Sequence, residues 1–127
     1  MARRDRFLSD VELEIMFYVW GSKRPLTSKE ILENLPRAWR LSTLITVLAR
    51  LEKKEMLFCD RSTSTNIYSA LKTREQHLAG ICSYIMNVHN VDAAYMLTAL
   101  CCEGVIGKEQ LAEAARQAAS GLQEGAV

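Results

Sequence analysis

The chain has 127 residues, 49% of them hydrophobic and 24% charged, which suits one globular domain, or a small one with an appendage, and excludes intrinsic disorder. No run of about 18 apolar residues could span a membrane, and the opening MARRDRFLSD lacks the apolar segment of a secretory signal, so a cytoplasmic protein is expected. The net charge of +1 conceals an asymmetry: residues 1–61 carry twelve Lys or Arg against nine Asp or Glu, residues 62–127 four against six, so an anionic partner would meet the first half.

Helix signals begin at Ser9, whose S-x-x-E spacing to Glu12 is a capping box. In the helix that follows, Leu8, Val11, Ile15 and Val19 form one apolar stripe and Leu13, Phe17 and Trp20 another, the pattern of a central helix. Gly21 and Pro25 close it. Thr27 with Glu30 repeats the box before a short helix carrying Ile31, Leu32 and Leu35, stopped by Pro36. A third helix lies in LSTLITVLARLEKK (41–54), with Leu44, Val47, Leu48 and Leu51 at core spacing. LFCDR (57–61) and TNIYS (65–69) read as two strands joined by the polar turn 62–64.

Helix, helix, helix, hairpin is the order of a winged helix-turn-helix, in which the third helix enters the major groove and the hairpin reaches adjacent phosphates. The outer face of the third helix fits that task. Ser42, Thr43 and Thr46 are small hydroxyl residues able to approach bases or phosphates, Ala49 is small, and Arg50 and Lys53 add cations further along. Taken alone, Ser42 reads more readily as the helix N-cap, the commonest job of such a serine.

The blocks ELEIMFYVW (12–20), LTSKEI (26–31), WRLSTLITVLARLEKKEML (39–57) and IYSAL (67–71) resemble, in order and spacing, those of the penicillinase-repressor family, the BlaI/MecI/CopY transcriptional repressors. The resemblance implies a homodimeric winged-helix repressor on a palindromic double-stranded DNA operator, released by an inducing signal, in the best-known members cleavage of the tail by a sensor protease. It places DNA contacts on Trp39, Arg40, Ser42, Thr43 and Thr46, with Ile45 and Lys53 on the same helix and wing contact near Arg61. Trp39 also reads as a core or cap residue. Arg50 lies on the helix edge, where it could instead pair with Glu12 or Glu14, and the structural role is the one we favour. The chain departs from the family pattern at Ile45, often basic there, at Glu55, usually glycine, and at Ala70, usually proline. On the edge of the outer face, Ile45 reads either as a single apolar residue exposed by chance or as one that packs on a thymine methyl.

Residues 1–72 are thus expected to form the winged-helix domain and 73–127 a helical dimerisation region, giving a mainly α fold with a small β-hairpin. Thr73 with Gln76 opens a tail helix bearing Leu78, Ile81, Cys82, Ile85 and Met86 at stripe spacing. Asn90 precedes a second with Ala93, Met96, Leu97, Leu100 and Cys101, Gly104 ends it, and Leu111, Ala114, Ala115 and Ala118 line a last one. Short amphipathic helices with no sheet to cover need a partner; a two-fold related copy is the favoured one, the alternative being that they fold back onto their own winged helix.

Enzyme chemistry is not expected. His77 and His89 fall in no catalytic motif and read as surface residues, and there is no glycine-rich phosphate loop. Cys59, Cys82, Cys101 and Cys102 show no C-x-x-C pair or metal spacing, so reduced, buried cysteines without metal or cofactor are expected, and the copper-responsive branch of the family is a poor match. The competing functional class is a winged helix that binds protein and not specific DNA; a gel shift on random duplex at low salt separates the two.

Overall fold

The computed structural model describes residues 7–36 and 38–125. Among them are six helices and one three-stranded antiparallel sheet, in the order α1 (Asp10–Gly21), β1 (Leu26–Thr27), α2 (Ser28–Asn34), α3 (Leu41–Lys53), β2 (Leu57–Asp60), β3 (Ile67–Ala70), α4 (Arg74–His89), α5 (Ala93–Cys102) and α6 (Lys108–Gly125). No described helix is long and apolar enough to cross a membrane. The chain divides after Cys82 into two compact units.

Local chemistry sets the ends of the helices in the first unit. The Glu12 amide donates to the Ser9 hydroxyl at 3.2 Å while the Ser9 amide donates to the Glu12 carboxylate at 2.8 Å. Thr27 and Glu30 repeat this reciprocal pair at 3.1 Å each way. Each box satisfies amide donors that a helix start otherwise leaves open. Thr27 has a second role, because it also ends β1. Leu26 pairs with Tyr68 and Thr27 with Ile67, giving the sheet order β1-β3-β2 and three strands where a hairpin alone was expected. A two-residue strand that runs directly into an N-cap leaves no alternation to detect. Cys59 and Tyr68 are cross-strand neighbours in the β2–β3 ladder, which reaches Leu57 opposite Ala70. With alanine at 70 in place of proline, the strand pairs to its end.

The core is built from Ile15, Met16 and Val19 of α1, Leu26, Ile31 and Leu35, the α3 stripe Leu44, Val47, Leu48 and Leu51, and Met56, Leu57, Cys59 and Tyr68. At α3 the spacing expected from the sequence is the buried face without exception. α3 ends in a tight reversal: the Met56 amide donates to the Leu51 carbonyl at 2.9 Å, and Glu55 takes the left-handed conformation, φ +61°. Glycine is the residue that adopts this turn without strain. The second α1 stripe is only partly covered. Phe17 stays half-exposed beneath the Arg74 guanidinium, 5.2 Å from its ring centroid, and the Trp20 indole N–H donates to the Lys72 carbonyl at 2.8 Å. The His77 ring lies 5.8 Å from Trp20 and is buried, a correction to its reading as a surface histidine. Burial, aided by the nearby Lys72 ammonium, holds the His77 pKa below the usual histidine value.

Capping also defines the tail helices. Thr73 and Gln76 form the expected reciprocal pair at 3.0 and 2.9 Å. Asn90 sits past the end of α4 in the left-handed region, φ +54°, with the Val91 amide donating to the Met86 carbonyl, and Gly104 does the same for α5 at φ +73°. The start of α5 is capped by Asp92, which accepts from the Tyr95 amide at 2.8 Å; Asn90 closes the helix before it. In the second unit every described side chain keeps some exposure. Cys102 is exposed and Cys101 half-buried, and Cys82 on α4 is also exposed, so of the four free cysteines only Cys59 is the buried hydrophobe expected.

Candidate nucleic-acid interface

The surface opposite the α3 core stripe is built from short side chains. Ser42, Thr43, Ile45, Thr46, Ala49, Arg50 and Lys53 are all exposed, and Ile45 keeps 42% of its surface open to solvent. Ser42 is not the cap. Arg40 occupies that position and makes no side-chain capping hydrogen bond, which leaves Ser42 within the first turn with its hydroxyl free of the capping role. The Thr46 hydroxyl donates to the Ser42 carbonyl one turn back at 3.0 Å, so its proton is engaged and its methyl group and oxygen lone pairs are what it offers outward. Trp39 packs against the core, with its indole N–H buried and without a hydrogen-bond partner.

Three cations border this face. Arg40, Arg50 and Lys53 are exposed and make no ion pair with any described residue. The pairing of Arg50 with Glu12 or Glu14 favoured from sequence is not made with either. Lys54 takes that place: its ammonium donates to the Glu12 carboxylate at 2.8 Å and to the Phe7 carbonyl at 3.4 Å, joining the end of α3 to the start of α1. Burial pushes the Glu12 pKa upward, but the Lys54 hydrogen bond, the Ser9 amide and hydroxyl and the Lys54 charge outweigh it and hold the carboxyl below its ordinary value. Leu51 fills the core between the outward Arg50 and the last turn, so the helix phase alone sends Arg50 to solvent and carries Lys54 back toward α1.

The wing connects β2 to β3 through residues 61–66, all exposed. Asp60 pins its start, accepting from the Ser62 amide at 2.9 Å, and hydrogen bonding from the Ser62 side chain first and its amide second holds the Asp60 carboxyl below its usual pKa. The Thr63 hydroxyl donates to the Thr65 carbonyl at 2.9 Å. Arg61 does not project freely. Its guanidinium grips the Glu52 carboxylate of α3 with two donors, at 3.0 and 2.8 Å. The fork raises the Arg61 pKa further above its ordinary range through the Glu52 hydrogen bonds and charge. Sequence reasoning passed over Glu52 because a single acidic residue beside a basic helix end has no periodic or motif signal.

These elements, a hydroxyl-rich helix face flanked by free cations and a short polar wing, sit on a chain whose residues 8–118 match the penicillinase repressor profile. The chain belongs to the penicillinase repressor family. The matched stretch runs from before α1 through α5 and well into α6, so the family likeness includes most of the tail. Members of this family are transcriptional repressors and not enzymes. Two curated relatives, each called transcriptional regulator BlaI, come from Mycobacterium tuberculosis strains CDC 1551 / Oshkosh and ATCC 25618 / H37Rv. Both are 31% identical over 83 residues, which cover 64% of this chain and 59% of theirs. Among solved structures, that of AF1382 from Archaeoglobus fulgidus overlays with a TM-score of 0.46 at 17% identity, over 72% of this chain and all of that one, too loosely to bear on function.

Proposed function

We propose that the protein is a DNA-binding transcriptional repressor that acts as a homodimer on a palindromic operator and lets go in response to an inducing signal. The observation that carries the reading is the α3 face, where small hydroxyl side chains stand exposed beside the unpaired cations Arg40, Arg50 and Lys53 on a family winged helix. Arg40, Arg50 and Lys53 contact phosphates, and Ser42, Thr43 and Thr46 lie close to base edges or the sugar–phosphate backbone. Ile45 packs against a thymine methyl. Trp39, being packed on the core, supports the start of α3 from behind. Leu78, Ile81, Ile85, Met96, Leu97, Leu100 and Leu111 meet their counterparts in the second subunit, which accounts for a tail with no fully buried described side chain after His77.

The test is binding to duplex DNA across a salt series. Each phosphate neutralised contributes about −0.9 to the slope of log affinity against log salt, so several cations predict a steep fall. Binding that ignores salt, or none at low salt, overturns the proposal and leaves a protein-binding winged helix. In the same series Ile45→Ala should lower affinity for the selected operator more than for random duplex; equal losses on both remove Ile45 from base reading.

A further inference from the structure

The wing is nearly devoid of free charge. Between Asp60 and Ile67 its sequence is RSTSTN, in which Arg61 is the one cation, and that cation is already held. Glu52 and Arg61 meet through two parallel N–H···O bonds, with the carboxylate on the last turns of α3 and the guanidinium on the residue that follows β2. Glu52 is anchored in α3 and Arg61 directly follows β2, so little backbone freedom is lost in keeping the fork closed, and the planar guanidinium matches a carboxylate in two places at once. With Asp60 counted, the wing root carries two carboxylates against one guanidinium. The arrangement adjoins Lys53, which makes no ion pair with any described residue.

We infer that Glu52 is a positioning residue that sets the sequence-independent part of DNA affinity: by holding Arg61 it keeps the wing from contributing a free cation to DNA, which restrains phosphate attraction and its salt dependence. This rests on the DNA-binding reading and goes beyond it by assigning opposite roles to neighbouring charges, with Lys53 outward to phosphate and Arg61 turned back to protein. Sequence-independent affinity comes almost entirely from neutralised phosphates, so withholding one cation lowers binding to all sequences equally while leaving base contacts untouched. Exposed ion pairs are weak, and a phosphate could compete for the guanidinium.

The full-length protein and its Glu52→Gln, Arg61→Gln and doubly substituted variants would be titrated with a mixed-sequence duplex over a fourfold range of salt, with thermal melts confirming that each is folded. Releasing Arg61 in Glu52→Gln should steepen the slope by about 0.9, an additional loss of about 3.5-fold across the series, and tighten binding to mixed sequence at the lowest salt. Arg61→Gln alone should leave the parental slope, and the double variant should return to it. A flatter slope in Arg61→Gln means that Arg61 already lies on a phosphate and overturns the inference, as does an unchanged slope in Glu52→Gln. Should Glu52→Gln fail to fold, the Arg61→Gln slope decides alone. A parent protein that binds no duplex at low salt instead refutes the DNA-binding proposal itself.

Discussion

The winged-helix unit and the tail use similar apolar residues to opposite ends. Leu44, Leu48 and Leu51 of α3 are completely buried within their own unit, whereas Leu97 of α5 keeps 41% of its surface exposed, Tyr95 66% and Val105 66%. The first unit closes its core by layering three helices on a small sheet, whose strands bring Leu26, Leu57 and Tyr68 to the inner side. The tail has helices alone, and short amphipathic helices leave part of each stripe open unless something else covers it. One region buries its stripes within itself and the other leaves them partly open.

The contrast is broken most forcefully by cutting the chain after Cys82, which keeps His77 on Trp20 and removes the second unit. If the tail joins two subunits, the fragment should sediment as a folded monomer. Its operator affinity should fall about 10²–10⁴-fold, because two half-sites are no longer bound as one unit. A fragment that stays a tight dimer would move the contact out of the second unit, to the winged helix or to Leu78 and Ile81 at the start of α4.

Two substitutions compare the regions directly. Leu48→Ala, at a position with no exposed surface, should cost about 2–5 kcal/mol whatever the protein concentration, read by denaturant unfolding. Leu97→Asp replaces a partly exposed side chain, so in a lone chain it should change stability by less than about 0.5 kcal/mol. In a dimer it buries an unpaired charge, and the protein should dissociate at concentrations where the parent remains paired. Parental sedimentation and operator affinity in Leu97→Asp would exclude this part of α5 from the interface.

The Glu12–Lys54 pair tests how the first unit is fastened. Lys54 is 17% and Glu12 3% exposed, so Lys54→Met strands a buried carboxylate at a cost of about 3 kcal/mol at pH 7. The sign of the pH effect follows from the lowered Glu12 pKa. In the parent, the contribution is fully present above the unfolded value near 4.5 and is lost as pH falls through the lower folded value. The gap between parent and variant should therefore narrow in acid, measured by urea unfolding at several pH values. A gap of the same size at pH 7 and pH 3 would mean that the pair does not carry this stability.

Periodicity and capping made the first unit legible. The α3 stripe, both capping boxes and the hairpin strands all follow from spacings of two to four residues. What escaped notice depends on distant partners. Met16, completely buried, lies between the two expected stripes of α1, on the buried face with Glu12, Ile15 and Val19; Glu12 was legible as a capping residue but not as the buried partner of Lys54; His77 was hidden by a tryptophan 57 positions earlier. At the candidate site the outer face of α3 was legible from helix phase alone, while the engagement of Arg61 by Glu52 and of the Thr46 hydroxyl by the Ser42 carbonyl required coordinates.

Glu55 lies between the two kinds of signal, because the sequence marks it as a departure from the family's glycine and the backbone shows what the departure costs. The Leu51–Met56 reversal keeps its hydrogen bond, so the turn persists, and Glu55 reaches φ +61° with a Cβ crowding its own carbonyl. That conformation costs a residue with a side chain about 1–2 kcal/mol relative to glycine. Glycine also gains freedom in the unfolded chain, which offsets part of the benefit. Glu55→Gly should then stabilise the first unit by about 0.5–1 kcal/mol, a rise of roughly 4 °C in its Tm. The tail's oligomeric state should not respond, since the turn lies wholly within the first unit. A Tm that falls on this substitution would show that the Glu55 side chain contributes more at this position than the backbone strain removes.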